Sequence, residues 1–454
     1  MLSKQQKPTT TSVEYQLMRM SWLKNCGHGN ESWQCLGTAL RQAQEIDLHQ
    51  VQEDATRDPG IDIGHKLVRL WEVEHRKRVW ARIFIMDSHM AIALGRPRGI
   101  HREDCSTSVP IDCEYPQEPS RAVPTSTNHS REPPNVFTPV MFSIALGHKY
   151  HDLMSLRASK LDLRDYSKVE NLHNDVEILL TNLPPALRPS FPDTTWDCQM
   201  PHLAAARQRL LTTANIFLLA LHRPYVSTHM TSRNAAIKSA FAILQAQQEL
   251  FTIVPQAHTK LYGYSFYTID AGIFLAATLI KDPTFNLDTK TSALHELRQA
   301  RIRLSCMKDR SVIARTGEVI LQRCCGVIEA NTPSPSSIAS HDYAVGAPQM
   351  MNPGTVSFLQ EFGCHVPDQA TRELMSLLGE PKAAMKSSMG MTPPSHVPYY
   401  DVDIATFDPS SSNDFLYSDL TTDDRRLGGS DGLASIHSPA PPWASCPRNI
   451  KNVV

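Results

Sequence analysis

The sequence predicts an all-α protein: a large helical bundle followed by a disordered acidic C-terminal tail. Three observations predict it. Apolar residues recur with the helical period as far as Ala330, while alternating period-two runs bounded by turn residues are missing. Glycine and proline punctuate this pattern where helices should stop, at Gly95 with Pro97, at Pro184 with Pro185, and at Pro224. Beyond Glu380 the chain is dominated by Pro, Ser, Asp and Gly, a composition that buries too little apolar surface to offset chain entropy.

Taken in order, the expected helices are Val13–Lys24, Ser32–Ile46, Gly64–Leu94, Val136–Leu161, Lys168–Asn182, Leu203–His222, Arg233–Phe251, Leu261–Ile280, Ser292–Met307 and Ser311–Ala330. The third is the most informative. It carries a basic stripe and then turns apolar on nearly every side, the mark of a strut inside a bundle rather than on its surface. Gly95 accepts the left-handed conformation of a helix stop, and Pro97 prevents the helix from resuming. Arg96–Pro110 then reads as a polar, extended loop. The fifth and sixth helices end before prolines, where the preceding residue leaves the helical region. Pro116–Pro134 and Pro184–Pro201 are long loops between layers. The organisation is therefore a helical domain over 1–330, a Ser/Pro-rich linker over 331–379 holding a short docking helix at Ala370–Leu378, and the tail over 380–454.

Composition narrows the function classes. Lys and Arg number 45 against 46 Asp and Glu, so bulk electrostatics do not point to a nucleic-acid coat. The N-terminus lacks the apolar core of a signal peptide. Val79–Leu94, taken as the best candidate for a membrane span, is broken by Arg82, Asp87 and His89, which disfavours membrane insertion. The ten cysteines form no CxxC pair and are too scattered to wrap a zinc ion. They read as reduced thiols, with the vicinal Cys324 and Cys325 as buried helix residues. No phosphate-binding glycine loop, nucleophile elbow or metal-binding helix motif is present, so no catalytic residue, cofactor or metal ligand is assigned. His148, His151 and His222 lack a third ligand at useful spacing and read as structural.

Two charged features remain. The run His75-Arg76-Lys77-Arg78 reads either as an import signal or phosphate contact, or as a structural stripe paired with Glu72 and Glu74; the structural reading is preferred. Asp87 lies in an apolar stretch and should be paired, with Arg96 or Arg223 as the expected partner. In the tail, Asp401–Asp424 holds seven aspartates and no basic residue, interleaved with Phe407, Phe415, Leu416, Tyr417 and Leu420. Acidic and hydrophobic residues mixed in this way mark a disordered activation segment, with a plain solubilising tail as the alternative.

A family resemblance draws these features together. Glu74, Arg76, Arg78, Trp80, Asp87, Gly95-Arg96-Pro97, Ile100, Asp104 and Pro110 resemble the signature of the fungal-specific transcription factor domain, the regulatory region of zinc-cluster transcription factors. Ser32–His49 resembles the family's earlier helix with its Leu-His end. Asn215–Tyr225, with His222-Arg223-Pro224, resembles its later Leu-His-Arg-Pro end. Ala81 stands where the family usually has a second tryptophan, and Asp47 where it usually has glycine; Asp tolerates the left-handed conformation better than most residues.

The resemblance implies a nuclear regulator of transcription that is not an enzyme and has no membrane contact. It implies transcription machinery or a co-activator as partner of the acidic tail, homo- or hetero-dimerisation, and zinc only in a family head that this sequence does not show. DNA would be reached indirectly or through a missing segment. Val13–Cys26 already reads as a family helix, so the chain is expected to be either naturally shortened or missing upstream sequence. An exposed apolar strip at Leu17, Trp22 and Leu23 should follow. The resemblance also allows an effector cavity lined by Met86, Met90, Phe217 and Phe266, but the preferred reading of these four residues is plain core. Control of a metabolic gene cluster is the specialised reading. A co-regulatory or dominant-negative interaction module is the alternative, and a helical enzyme the third.

Overall fold

A computed structural model describes residues 7–51, 60–158, 166–281 and 287–330. These hold ten α-helices and no strand: α1 (Thr10–Asn25), α2 (Gly29–Glu45), α3 (Ile63–Ala93), α4 (Thr138–Ala158), α5 (Ser167–Thr181), α6 (His202–His222), α7 (Met230–Ile253), α8 (Tyr262–Lys281), α9 (Leu287–Met307) and α10 (Val312–Ala330). Every expected helix forms, and the two proline-rich joints are loops with single 3-10 turns at Pro119–Arg121 and Pro185–Leu187. The expected linker over 331–379 with its docking helix, and the tail over 380–454 with its acidic segment, lie outside the described residues.

Local chemistry sets the helix ends. The Thr9 hydroxyl accepts from the Ser12 amide at 3.1 Å while the Ser12 hydroxyl accepts from the Thr9 amide at 3.0 Å, a reciprocal cap on α1. The Asp62 carboxylate accepts the Gly64 amide at 2.9 Å and starts α3. At the far end Gly95 has φ 61°, and the Arg96 and Gly95 amides donate back to the Ala91 and Ile92 carbonyls at 3.0 and 3.3 Å. These bonds satisfy carbonyls that the helix end would leave unpaired. Asp47 takes the left-handed role after α2 with φ 58°, as the departure from glycine there requires.

Four apolar clusters pack between these helices, the smallest formed by Ala81 of α3 with Phe137, Val140 and Ile144 at the start of α4. One joins α1, α2 and α3 around Leu17, Met20 and Ile83; another joins α4, α5 and α6 around Leu153 and Phe217; the largest joins α6 to α10 around Leu275, Ala276 and Leu321. Gly317 lets α10 approach α8, because a β-carbon there would lie 2.2 Å from the Ile269 side chain.

Three expectations are corrected. Leu17 is wholly buried and Leu23 packs against the first cluster, so only Trp22, 61% exposed, remains of the strip; α2 and α3 cover the rest. The strut α3 is buried but not apolar all round, since Glu74, Lys77, Arg78, Arg82 and Asp87 are buried with it. Among the described residues the most apolar helix is α8, long and apolar enough to cross a membrane by length and composition, yet 78% of its apolar window is buried inside the protein. It is the core helix of the C-terminal half, and Val79–Leu94 is not the most apolar stretch.

Candidate functional site

The basic stripe of α3 is consumed by the scaffold. Arg76 donates to the Ile46 carbonyl at 2.7 Å, which ties α3 to the end of α2. Arg78 donates to the Cys113 carbonyl at 2.8 Å and lies 3.5 Å from Glu74, whose carboxylate accepts the Ile111 amide at 2.6 Å. Arg78 also sits over the Phe137 ring at 4.4 Å. Burial pushes the Glu74 carboxyl above its ordinary range, against the Ile111 amide and the Arg78 charge, which pull it down. Glu14 of α1 is the partner that the sequence did not disclose: its carboxylate lies 3.3 Å from His75 and 4.0 Å from Arg82. Trp80 is buried beside the His49 ring, with centroids 6.0 Å apart.

Asp87 does clamp the turn after α3, but not through the expected arginines. Its carboxylate accepts the Gly99 amide at 2.9 Å and the Ile100 amide at 3.1 Å. Burial dominates and holds the carboxyl above its ordinary range, against the Gly99 and Ile100 amides and the Arg98 charge, which pull it down. Arg96 turns instead to α2, donating to the Asn30 side chain and stacking over Trp33 at 4.6 Å. Pro97 lies exposed in the turn. One terminal nitrogen of Arg223 donates to both carboxylate oxygens of Asp270 of α8, each at 2.9 Å. The expected Asp87–Arg96 or Asp87–Arg223 pair is therefore replaced by a backbone clamp, because the turn brings two amide donors to the carboxylate first.

The Leu-His-Arg-Pro end of α6 runs into a 3-10 turn at Arg223–Tyr225 that contains Pro224. Here His222 is buried in a polar chain: its ring nitrogens lie 2.8 Å from His173 and 2.9 Å from the Ser232 hydroxyl, which meets the Tyr166 hydroxyl at 2.5 Å. Burial, helped by the neighbouring His173, holds His222 down to about 4, so it is neutral near pH 7. His148 and His151 flank the Phe84 ring, and burial takes His151 down to about 3. Among the described residues no group of three His, Cys, Asp or Glu side chains is placed to hold a metal ion. Cys324 and Cys325 are buried in α10, and burial pushes the Cys324 thiol up to about 12.

A cavity of about 160 Å³ lies where α1, α3, α4, α6, α7 and α8 converge. Met86 lines it, whereas Met90, Phe217 and Phe266 do not and are core residues of the apolar clusters, the preferred reading for them. Its walls come instead from Tyr150, Tyr264, Tyr267, Leu146 and Leu250, and from polar residues that periodicity alone cannot single out, Gln247 above all. The activation residues Phe407, Phe415, Leu416, Tyr417 and Leu420 lie outside the described residues.

The scaffold is thus organised by a buried, charge-bearing strut closed by a glycine–arginine–proline turn. Residues 2–177, which span α1 to most of α5, match the fungal specific transcription factor domain. The chain is 23% identical over 323 residues to transcription factor xilB of Penicillium rubens, covering 64% of this chain and 46% of that protein. It is 23% identical over 286 residues to a transcriptional regulatory protein of Schizosaccharomyces pombe, covering 59% and 33%. It is also 23% identical over 280 residues to transcription factor FBD3 of Gibberella moniliformis, covering 57% and 34%. The chain thus spans less than half the length of these relatives. No solved structure matches it.

Proposed function

We propose that this chain is a nuclear regulator of transcription that works by interaction rather than catalysis. The observation that carries the reading is the match over residues 2–177, supported by relatives that are named as transcription factors or regulators. In this reading the helical domain over 1–330 regulates or assembles, and Asp401–Asp424 recruits the transcription machinery or a co-activator. A dedicated metabolic gene cluster is its target, secondary metabolism included. DNA contact comes through a partner or through sequence beyond this chain, zinc belongs to that DNA-binding part, and neither a cofactor nor a membrane is involved.

The test is a reporter experiment in a fungal nucleus. The whole chain, fused to a heterologous DNA-binding domain, should activate transcription, and removing residues 401–424 should abolish that activation. A reporter that stays silent while the fusion accumulates in the nucleus removes the activation role. A second reading, a co-regulatory module that pairs with full-length relatives, is favoured by Tyr15 and Trp22. They lie seven residues apart on α1 and are 58% and 61% exposed, placing two aromatic side chains on one outer face. Co-purification with a full-length relative, lost in the double variant Tyr15→Ser, Trp22→Ser, supports it.

A further inference from the structure

Among the described residues the last helix keeps one face uncovered. Val312, Arg315, Val319, Gln322, Gly326 and Glu329 follow one another at steps of three and four residues, so they form a single stripe along α10, and all six are exposed. Val312 is 56% and Val319 38% exposed, and Ile302 of α9 adds a third aliphatic side chain at 52%. The Arg298–Glu329 contact at 2.6 Å and the Lys308–Glu318 contact at 4.0 Å set α9 antiparallel to α10. In that register Ile302 lies one turn along α9 from Arg298, and Gly326 about one turn back along α10 from Glu329, so both border the same groove. The bundle's own packing does not account for Gly326. A β-carbon there would meet nothing within 4 Å, whereas one at Gly317 would strike Ile269. Glycine weakens a helix interior relative to alanine, so its place on an open face suits close approach by a further segment.

The chain carries a segment of matching pattern. Asp368–Glu380 has Ala370, Leu374, Leu377 and Leu378 at helical spacing, with Asp368 and Gly379 as start and stop signals. Asp368, Glu373 and Glu380 stand against the single base Arg372, while residues 287–330 hold eight Lys and Arg against five Asp and Glu. The two charges are complementary. Ala370 comes 40 residues after Ala330, the end of α10. A chain of that length spans about 35 Å even at random-coil dimensions, against roughly 28 Å for the whole of α10. We infer that Asp368–Glu380 docks in the groove of α9 and α10, with its apolar residues over Ile302, Gly326 and Val319 and its carboxylates within reach of Arg315. A tethered occupant acts at an effective concentration of about 1 mM, so a few contacts keep the face closed to other proteins until one binds more tightly. The docking does not rest on the reading as a transcription regulator.

The test is hydrogen exchange on the purified full chain, read by mass spectrometry at high and at low protein concentration. The amides of Leu374–Leu378 should exchange at least about tenfold more slowly than those of a free peptide of the same sequence, equally at both concentrations. Val319→Glu, which sets a carboxylate in the groove at an exposed position, should return them to the peptide's rate while the amides of α10 itself stay protected. Ile302→Ser should act in the same way, and Tyr15→Ser, on α1, should change nothing. Exchange at the peptide's rate in the parent chain overturns the inference, and so does protection that both groove variants leave intact. Protection that rises with protein concentration assigns the face to a second copy and overturns it too. The parent chain and its peptide decide the matter even where a variant does not fold. Since exchange needs no reporter, its failure and a failure of the transcriptional reading are told apart.

Discussion

The struts α3 and α8 are both buried along much of their length, yet they are held in opposite ways. Strut α3 brings Glu74, Lys77, Arg78, Arg82 and Asp87 into the interior and anchors Glu74, Arg78, Arg82 and Asp87 to loop carbonyls, loop amides and Glu14. Helix α8 buries hardly anything but apolar and hydroxyl side chains, and Thr268 and Thr278 return their hydroxyls to carbonyls one turn back at 2.8 Å. The contrast separates two kinds of buried helix. Charges in α3 fix which loop lies where, because a buried charge tolerates few arrangements. Apolar packing in α8 supplies cohesion that many side chains of the right volume could provide. The stretch matching the family contains α3 and not α8, so the part held by charge is the part that carries the family's pattern.

The largest expected effect comes from Arg78→Ala. It strands the buried Glu74 and should destabilise the chain by about 3–5 kcal/mol in urea unfolding. If the variant unfolds at the parent's midpoint, the distinction between the two struts collapses. On the other side, Leu275→Ala in α8 should cost about 3 kcal/mol through the cavity it leaves, and Leu275→Met should restore most of this, as no rescue of Arg78→Ala by an apolar side chain should. Asp87→Ala leaves the Gly99 and Ile100 amides unpaired and should cost about 2–3 kcal/mol, whereas Asp87→Asn keeps an acceptor and should cost under about 1 kcal/mol. An equal loss in both variants would mean that charge, not the backbone clamp, holds the turn.

The smallest effect is in pH. His222 is held down to about 4, against 6.5 for an ordinary histidine. Between those values the unfolded chain takes up a proton that the folded chain refuses. The stability due to this site is therefore complete above pH 6.5 and falls as pH drops toward 4, by about 2 kcal/mol between pH 7 and 5. Unfolding midpoints of the parent and of His222→Gln at the two pH values should differ in slope by that amount, with His151 keeping its own share in both chains.

Helix positions were legible in the sequence because the signal is local: period, caps and breakers act within a few residues of each other. The stop at Gly95 and the left-handed Asp47 belong to that class, as does the burial of Cys324 and Cys325. The partners of Asp87, Arg96 and Arg223 were not legible. A buried charge announces that it must be met, but several groups of the right sign or polarity compete, and the nearest in space wins. Leu17 was misjudged for the same reason, since cover by α2 and α3 is a property of packing. Of the cavity's lining the sequence offered only Met86, and that with plain core preferred, because the walls come from six helices.

By itself the sequence determined an all-α scaffold, the ends of its helices, the charged strut and the family pattern that strut carries. All follow from interactions between neighbours in the chain, which a linear pattern records. Only the tertiary structure decided that Glu14 answers His75 and Arg82, that the side chain of Asn25 caps the start of α8 at 2.8 Å from Tyr262, and that Gln247 lines a cavity where six helices converge. Those outcomes depend on distances between residues remote in sequence, and the chain acquires such distances only when its helices have packed.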